Sequence, residues 1–281
     1  MTRLDFEATS LELQQYRQSG ERASERVAYL ASRIIKDGYS AKLQDDIWPF
    51  YEQAVAAALD VGDFRLADEC IENLKRRFSN SSRVQRLVGM RYEAEGKLAE
   101  AQKIYDAILE EDESNIVGVR VLVSKRQIAL LKLRGLKSEA IAALVSYLDT
   151  YYSDAEAWIE LCSLYLSVHA YQKAAYCLEE LILLQAANPI WHLKYAEIMY
   201  TLGDYSLALK QYCRVIDLHE DHLRGMYGIQ LCASKIMANG EADDTTKALK
   251  ELATERILAT EVDQCTIDSI KQVVREYLSV A

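Results

Sequence analysis

GDFRLA at 62–67 and GDYSLA at 203–208 are near-copies of one another, and three segments in phase with them decide the fold: GKLAEA at 96–101, GLKSEA at 135–140 and HAYQKA at 169–174. Successive starts lie 34, 39, 34 and 34 residues apart. Every segment ends in alanine: Ala67, Ala101, Ala140, Ala174 and Ala208. A period of this length marks a structural unit stacked on copies of itself, so it takes precedence over any local motif.

The 34-residue period is that of the tetratricopeptide repeat, a helix–turn–helix unit. Gly62, Gly96, Gly135 and Gly203 fall where the first helix of each hairpin (helix A) ends, a place that favours a left-handed residue; His169 takes it in the fourth repeat. The alanines fall early in helix B, where a small side chain lets the two helices approach. Large residues then recur at helical spacing, as in Trp158, Leu161 and Tyr165 followed by Tyr171, Leu178 and Leu181. The repeats run 48–81, 82–115, 121–154, 155–188 and 189–222, with about five extra residues near 116–120 in a longer loop or an extended helix. The expected fold is an all-α, right-handed tetratricopeptide solenoid of about five clear hairpins with helical caps at both ends. Residues 1–47 form the N-terminal cap, with one or two helices over 7–36. Residues 48–222 hold the five repeats, and 223–281 hold a degenerate sixth hairpin (223–238 and 243–259) and a final helix at 264–279.

Composition supports this reading. The 281 residues include only two prolines and 11 glycines, half are hydrophobic and 27% are charged, which excludes an all-β or collagen-like chain. The longest run without Asp, Glu, Lys or Arg is the 13 residues from 181 to 193, short of the roughly 20 that span a bilayer. The first residues are acidic and polar rather than basic then apolar, so no signal peptide is expected. Six cysteines without paired spacing predict buried thiols in a reducing compartment.

In tetratricopeptide arrays helix A lines the inner face. The corresponding residues here are Arg83, Arg86 and Met90 in the second repeat, Lys125, Ala129 and Lys132 in the third, Ile159, Ser163 and Leu166 in the fourth, and Leu193, Glu197 and Tyr200 in the fifth. The predicted groove is therefore basic in repeats two and three and apolar in four and five. Residues 116–154 carry six basic and three acidic side chains in a chain whose net charge is −10. That stripe is either a solvated face or a surface that steers the acidic end of a partner segment. The lysine and asparagine of the chaperone-binding carboxylate clamp are not at the matching positions, which hold Glu52 and Ala56, then Arg86 and Met90.

Catalytic and cofactor signatures are not found. His219-Glu220-Asp221-His222 has the wrong spacing for a zinc-binding HExxH motif and falls at a repeat junction. Arg134-Gly135-Leu136-Lys137-Ser138 lacks the glycine spacing and preceding strand of a phosphate loop. The sequence pI of about 5.1 disfavours nucleic-acid binding. No cofactor, metal or small-molecule substrate is expected, and the chain is not expected to be an enzyme.

Beyond the repeats, RLVGMRYEAEGKLAEA (86–101), ILEEDESN (108–115), EAWIELCSLYL (156–166), KAAYCLEEL (173–181) and YAEIMYTLGD (195–204) resemble a particular family, subunit 2 of the endoplasmic-reticulum membrane protein complex. The resemblance covers roughly residues 48–236. It implies a peripheral subunit on the cytoplasmic face of the endoplasmic reticulum membrane, holding the cytosolic segments of other subunits of a complex that inserts tail-anchored and multi-pass membrane proteins. Another cytosolic adaptor or a non-catalytic enzyme subunit is the alternative.

Overall fold

The repeat glycines end their helices by turning the chain back on itself. In the computed structural model, which describes residues 5–111, 117–241, 243–259 and 268–280, Gly62 and Gly203 adopt left-handed backbone at φ 78° and 89°. The next residue's N–H then donates to a helix carbonyl: Asp63 to Ala58 at 2.8 Å, Asp204 to Met199 at 3.0 Å. The same aspartates open helix B, their carboxylates accepting from the N–H of Leu66 at 3.1 Å and of Leu207 at 2.9 Å. Gly-Asp thus closes one helix and caps the next. His169 holds the left-handed position at φ 57°, where a Cβ costs about 1–2 kcal/mol.

The chain gathers into two compact units, residues 1–136 and 137–281. The first contains α1 (Phe6–Ser19), α2 (Ser24–Lys36), a 3₁₀ segment (Tyr39–Asp46), α3 (Ile47–Val61), α4 (Phe64–Arg77), α5 (Ser82–Ala94), α6 (Leu98–Glu111) and α7 (Val117–Leu133). The second contains α8 (Lys137–Thr150), α9 (Ala155–Ser167), α10 (Tyr171–Leu184), α11 (Pro189–Leu202), α12 (Tyr205–Leu218), α13 (Leu223–Ala238), α14 (Asp244–Ile257) and α15 (Asp268–Val280). No strand occurs among the described residues.

In the first unit α3 packs on α2, α4 and α5, and α5 on α4, α6 and α7. In the second α9 packs on α8 and α10, α11 on α10, α12 and α13, and α13 on α14. Helix A touching its own helix B and the next helix A is the tetratricopeptide arrangement, and the fold is an all-helical tetratricopeptide-repeat fold. The extra residues of the third repeat lengthen its helix A, which starts at Val117 and runs 17 residues; residues 112–116 lie outside those described. So do Cys265 and residues 264–267, where the sequence places the start of the final helix. That helix docks through Leu278, buried with Met226 of α13 and Ile257 of α14. The 3₁₀ segment before α3 was not foreseen.

All five repeat alanines, Ala67, Ala101, Ala140, Ala174 and Ala208, are 0% exposed. A second close approach joins α5 to α6. A Cβ placed on Gly89 would sit 2.3 Å from Cε1 of Tyr105, a fully buried ring whose hydroxyl donates to Glu93 at 2.6 Å.

Replacing Gly89 by Ala gains roughly 1 kcal/mol of helix propensity, but it forces Tyr105 off its seat and its charged hydrogen bond, worth roughly 1.5–3 kcal/mol. The clash wins. Gly89→Ala is expected to destabilise by about 1–3 kcal/mol, as is Ala174→Trp in the second unit. Urea unfolding followed by circular dichroism checks both, and unchanged midpoints would contradict the packing described.

Candidate partner-binding surfaces

The helix A faces carry two cavities, one in each compact unit. In the first unit α3, α5 and α7 are joined by crossed charges. Arg83 of α5 donates to Glu52 of α3 at 2.8 Å, and Arg126 of α7 donates to Glu93 of α5 at 2.9 Å. These helices and the α1–α2 turn enclose a cavity of about 670 Å³, with Arg17, Arg22, Glu52, Gln53, Asp60, Arg86, Met90 and Arg126 in its wall. Asp60 is held by both Arg22 and Ser24, and Arg22 in particular keeps its carboxyl below the usual range.

Of the residues expected here, Arg86 and Met90 line the cavity and are half-buried. Arg83 stands exposed in its ion pair. On α7 the wall is formed by Arg126 rather than Lys125, Ala129 or Lys132. Ala129 and Lys132 are exposed, and Lys125 is half-buried. Arg126 was missed because repeat position alone does not resolve neighbouring residues on a helix: one residue rotates a side chain by about 100°.

In the second unit a cavity of about 430 Å³ opens between α9 and α11, over α10. Ile159, Ser163 and Leu166 line it from α9, and Trp191, Lys194, Glu197 and Thr201 from α11; Leu178 and Leu181 are contributed by α10. Leu193 needs correction: it is 5% exposed and belongs to the core. The α11 residues Lys194, Glu197 and Thr201 share one face, spaced as i, i+3 and i+7, and this turns Leu193 inward. Tyr200 is half-buried outside this lining, edge-on to Tyr205 at 5.2 Å between ring centroids. Glu197 also accepts from Arg224 of α13.

A third cavity, of about 600 Å³, was not foreseen. Tyr152, Trp158, Tyr165 and Tyr176 give it an aromatic wall, with Val145, Asp149, Lys173 and Glu180 among its other lining residues. The signal available in sequence was the excess of tyrosine over phenylalanine, 18 against 4.

Elsewhere the polar groups have structural work. His222 caps α13, its Nδ1 accepting from the Gly225 N–H at 3.2 Å. No group of three His, Cys, Asp or Glu side chains able to hold a metal occurs among the described residues, and no helix there is long and apolar enough to cross a membrane. Burial pushes the thiols of Cys70, Cys177 and Cys232 up to about 12 and raises that of Cys162. At neutral pH these four carry almost no thiolate. Native protein treated with a maleimide at neutral pH should therefore label Cys70, Cys177 and Cys232 about a hundredfold or more slower than unfolded chain, and Cys162 more slowly as well, read by peptide mass spectrometry. Fast labelling of any of the four would contradict the packing.

Residues 53–211 match the profile of the EMC2 TPR-like repeat domain family. The chain is 38% identical over 235 residues to the ER membrane protein complex subunit 2-A of Xenopus laevis, covering 83% of this chain and 77% of that protein. It is 34% identical over 236 residues to the TPR repeat protein oca3 of Schizosaccharomyces pombe, covering 82% of this chain and 81% of that one. Among solved structures, the C-terminal part of a TPR repeat-containing protein from Cytophaga hutchinsonii superposes with a TM-score of 0.60 at 15% identity, over 93% of this chain and 97% of that one, a likeness of fold alone.

Proposed function

The chain belongs to the family of subunit 2 of the endoplasmic-reticulum membrane protein complex, and from that premise we propose that it is a non-catalytic scaffold holding partner subunits on the cytoplasmic side of the membrane. The complex it serves inserts tail-anchored and multi-pass membrane proteins, and this chain contributes binding surface rather than chemistry. Its association with the membrane is peripheral, through cytosolic segments of the other subunits. The observation that carries the reading is the form of the helix A faces: two open cavities of about 670 and 430 Å³, each within the range of ligand-sized pockets, with no nucleophile–base constellation beside them among the described residues.

The two faces differ in chemistry. Arg86, Met90 and the neighbouring guanidiniums suit polar, acidic partner groups. Ile159, Leu166 and the floor of α10 suit an apolar side chain, with Ser163, Lys194 and Glu197 available for orientation. Arg83, Lys125, Ala129, Lys132 and Tyr200 lie on the flanks of these cavities in the proposed surface.

Membranes carrying tagged protein, extracted in mild detergent and analysed by mass spectrometry, test the proposal. Stoichiometric recovery with several integral endoplasmic-reticulum proteins is expected. Recovery only from the soluble fraction, with chaperones or a single enzyme chain, would overturn it in favour of an adaptor or a non-catalytic enzyme subunit.

A further inference from the structure

Arg86 is charged, half-buried and unsatisfied. Its Nε is sealed from water without a hydrogen-bond partner, and among the described residues its guanidinium makes no hydrogen bond or ion pair. Arg17, on the same cavity, likewise has Nη1 buried without a partner, as does the Oε1 of Gln53. The carboxylates within the cavity do not complete these groups. Glu52 is taken by Arg83 at 2.8 Å, Asp60 by Arg22 at 2.6 Å, and Glu21 stands exposed. Arg126, the remaining guanidinium, is engaged by Glu93.

An uncompensated cation withdrawn from water is costly, and most proteins neutralise or pair it. Burial lowers the Arg86 pKa from its ordinary value; nearby Glu52 opposes that shift, while Arg126 and Arg83 reinforce it. Arginine stays charged under such conditions and presents a planar fork that matches a carboxylate.

We propose that this cavity receives a carboxylate side chain from an acidic peptide segment of a partner protein, with Arg86 as its anchor and Arg17 as the second guanidinium available to it. The proposal rests on the scaffold reading and narrows it: the partner segment at this face is acidic, and its carboxylate completes a charge that the free chain leaves unpaired. The cavity, about 670 Å³, is large enough to admit the side chain together with its neighbours.

The test uses the full chain and a fluorescein-labelled Glu-rich peptide, beside its Gln-substituted counterpart, with binding read by fluorescence anisotropy. Wild-type protein should bind the acidic peptide and not the amide one. Arg86→Gln should weaken binding about tenfold or more, and Arg86→Lys should restore it only in part. Arg65→Gln, which removes an exposed cation on α4, should leave affinity within about twofold. Arg86→Met should raise the melting temperature of the free chain while abolishing peptide binding, because it removes an unpaired, half-buried charge; a residue kept for structure alone would lower it. The proposal is overturned by equal binding to wild type and Arg86→Gln, by equal binding of the two peptides, by a lowered melting temperature for Arg86→Met, or by Arg86-dependent binding to phosphatidylserine vesicles without binding to the peptide.

The carboxylate site and the scaffold reading fail differently. If Arg86→Glu protein still co-purifies fully with integral membrane subunits, the carboxylate site is wrong and the scaffold reading stands. If wild-type protein co-purifies with none, the scaffold reading itself fails.

Discussion

Five alanine side chains with no exposed surface decide how closely the helices of each repeat lie. A methyl group at Ala67, Ala101, Ala140, Ala174 or Ala208 is the largest side chain that fits the position without repacking, because protein interiors are filled to crystal-like density. Close approach then fixes where larger groups must go. In the second repeat Gly89 leaves room for the ring of Tyr105, and the Tyr105 hydroxyl finds Glu93 on the neighbouring helix. Glu93 in turn takes Arg126 from the third repeat. A small residue at one position therefore organises a chain of contacts through α5, α6 and α7.

The charges between successive A helices depend on that geometry. Glu52 with Arg83, Glu93 with Arg126, and Glu197 with Arg224 each join one helix A to the next. Most of these side chains are substantially exposed, so each pair contributes little to stability, on the order of 0–1 kcal/mol. Their effect is to occupy the groups that would otherwise meet a partner first. Arg86 differs because its Nε is sealed in the wall and, among the described residues, it has no such partner. The distinction between a paired surface cation and an unpaired recessed one is what the proposed carboxylate site rests on.

Glycine and alanine spacing made the helices legible in the sequence, because backbone handedness and close packing tolerate few residue types. Helix ends at Gly62 and Gly203 obey such rules, and His169, left-handed without being glycine, is the exception that the repeat spacing alone locates. Gly240, again at positive φ, separates α13 from α14. Surface facing was less legible. Leu193 and Lys194 are adjacent in sequence, yet one is core and the other lines a cavity. Lys125 and Arg126 are both half-buried, yet only Arg126 lines the first-unit cavity. No backbone rule separates such neighbours; their facing depends on the rotation of each helix against those packed on it. The aromatic cavity around Trp158 and Tyr176 is assembled from three helices, and no single stretch of sequence contains it.

On the proposed scaffold reading, the helix A faces, rather than the exposed sides of the B helices, hold the partner subunits. Site-specific photo-crosslinking in cells tests it directly, with a benzophenone amino acid placed in turn at Met90 and Ser163 on the A helices, and at Lys103 and Lys210, both exposed on B helices. Adducts to integral subunits of the complex from Met90 and Ser163 are the predicted result. Adducts arising only from Lys103 and Lys210 would contradict the account.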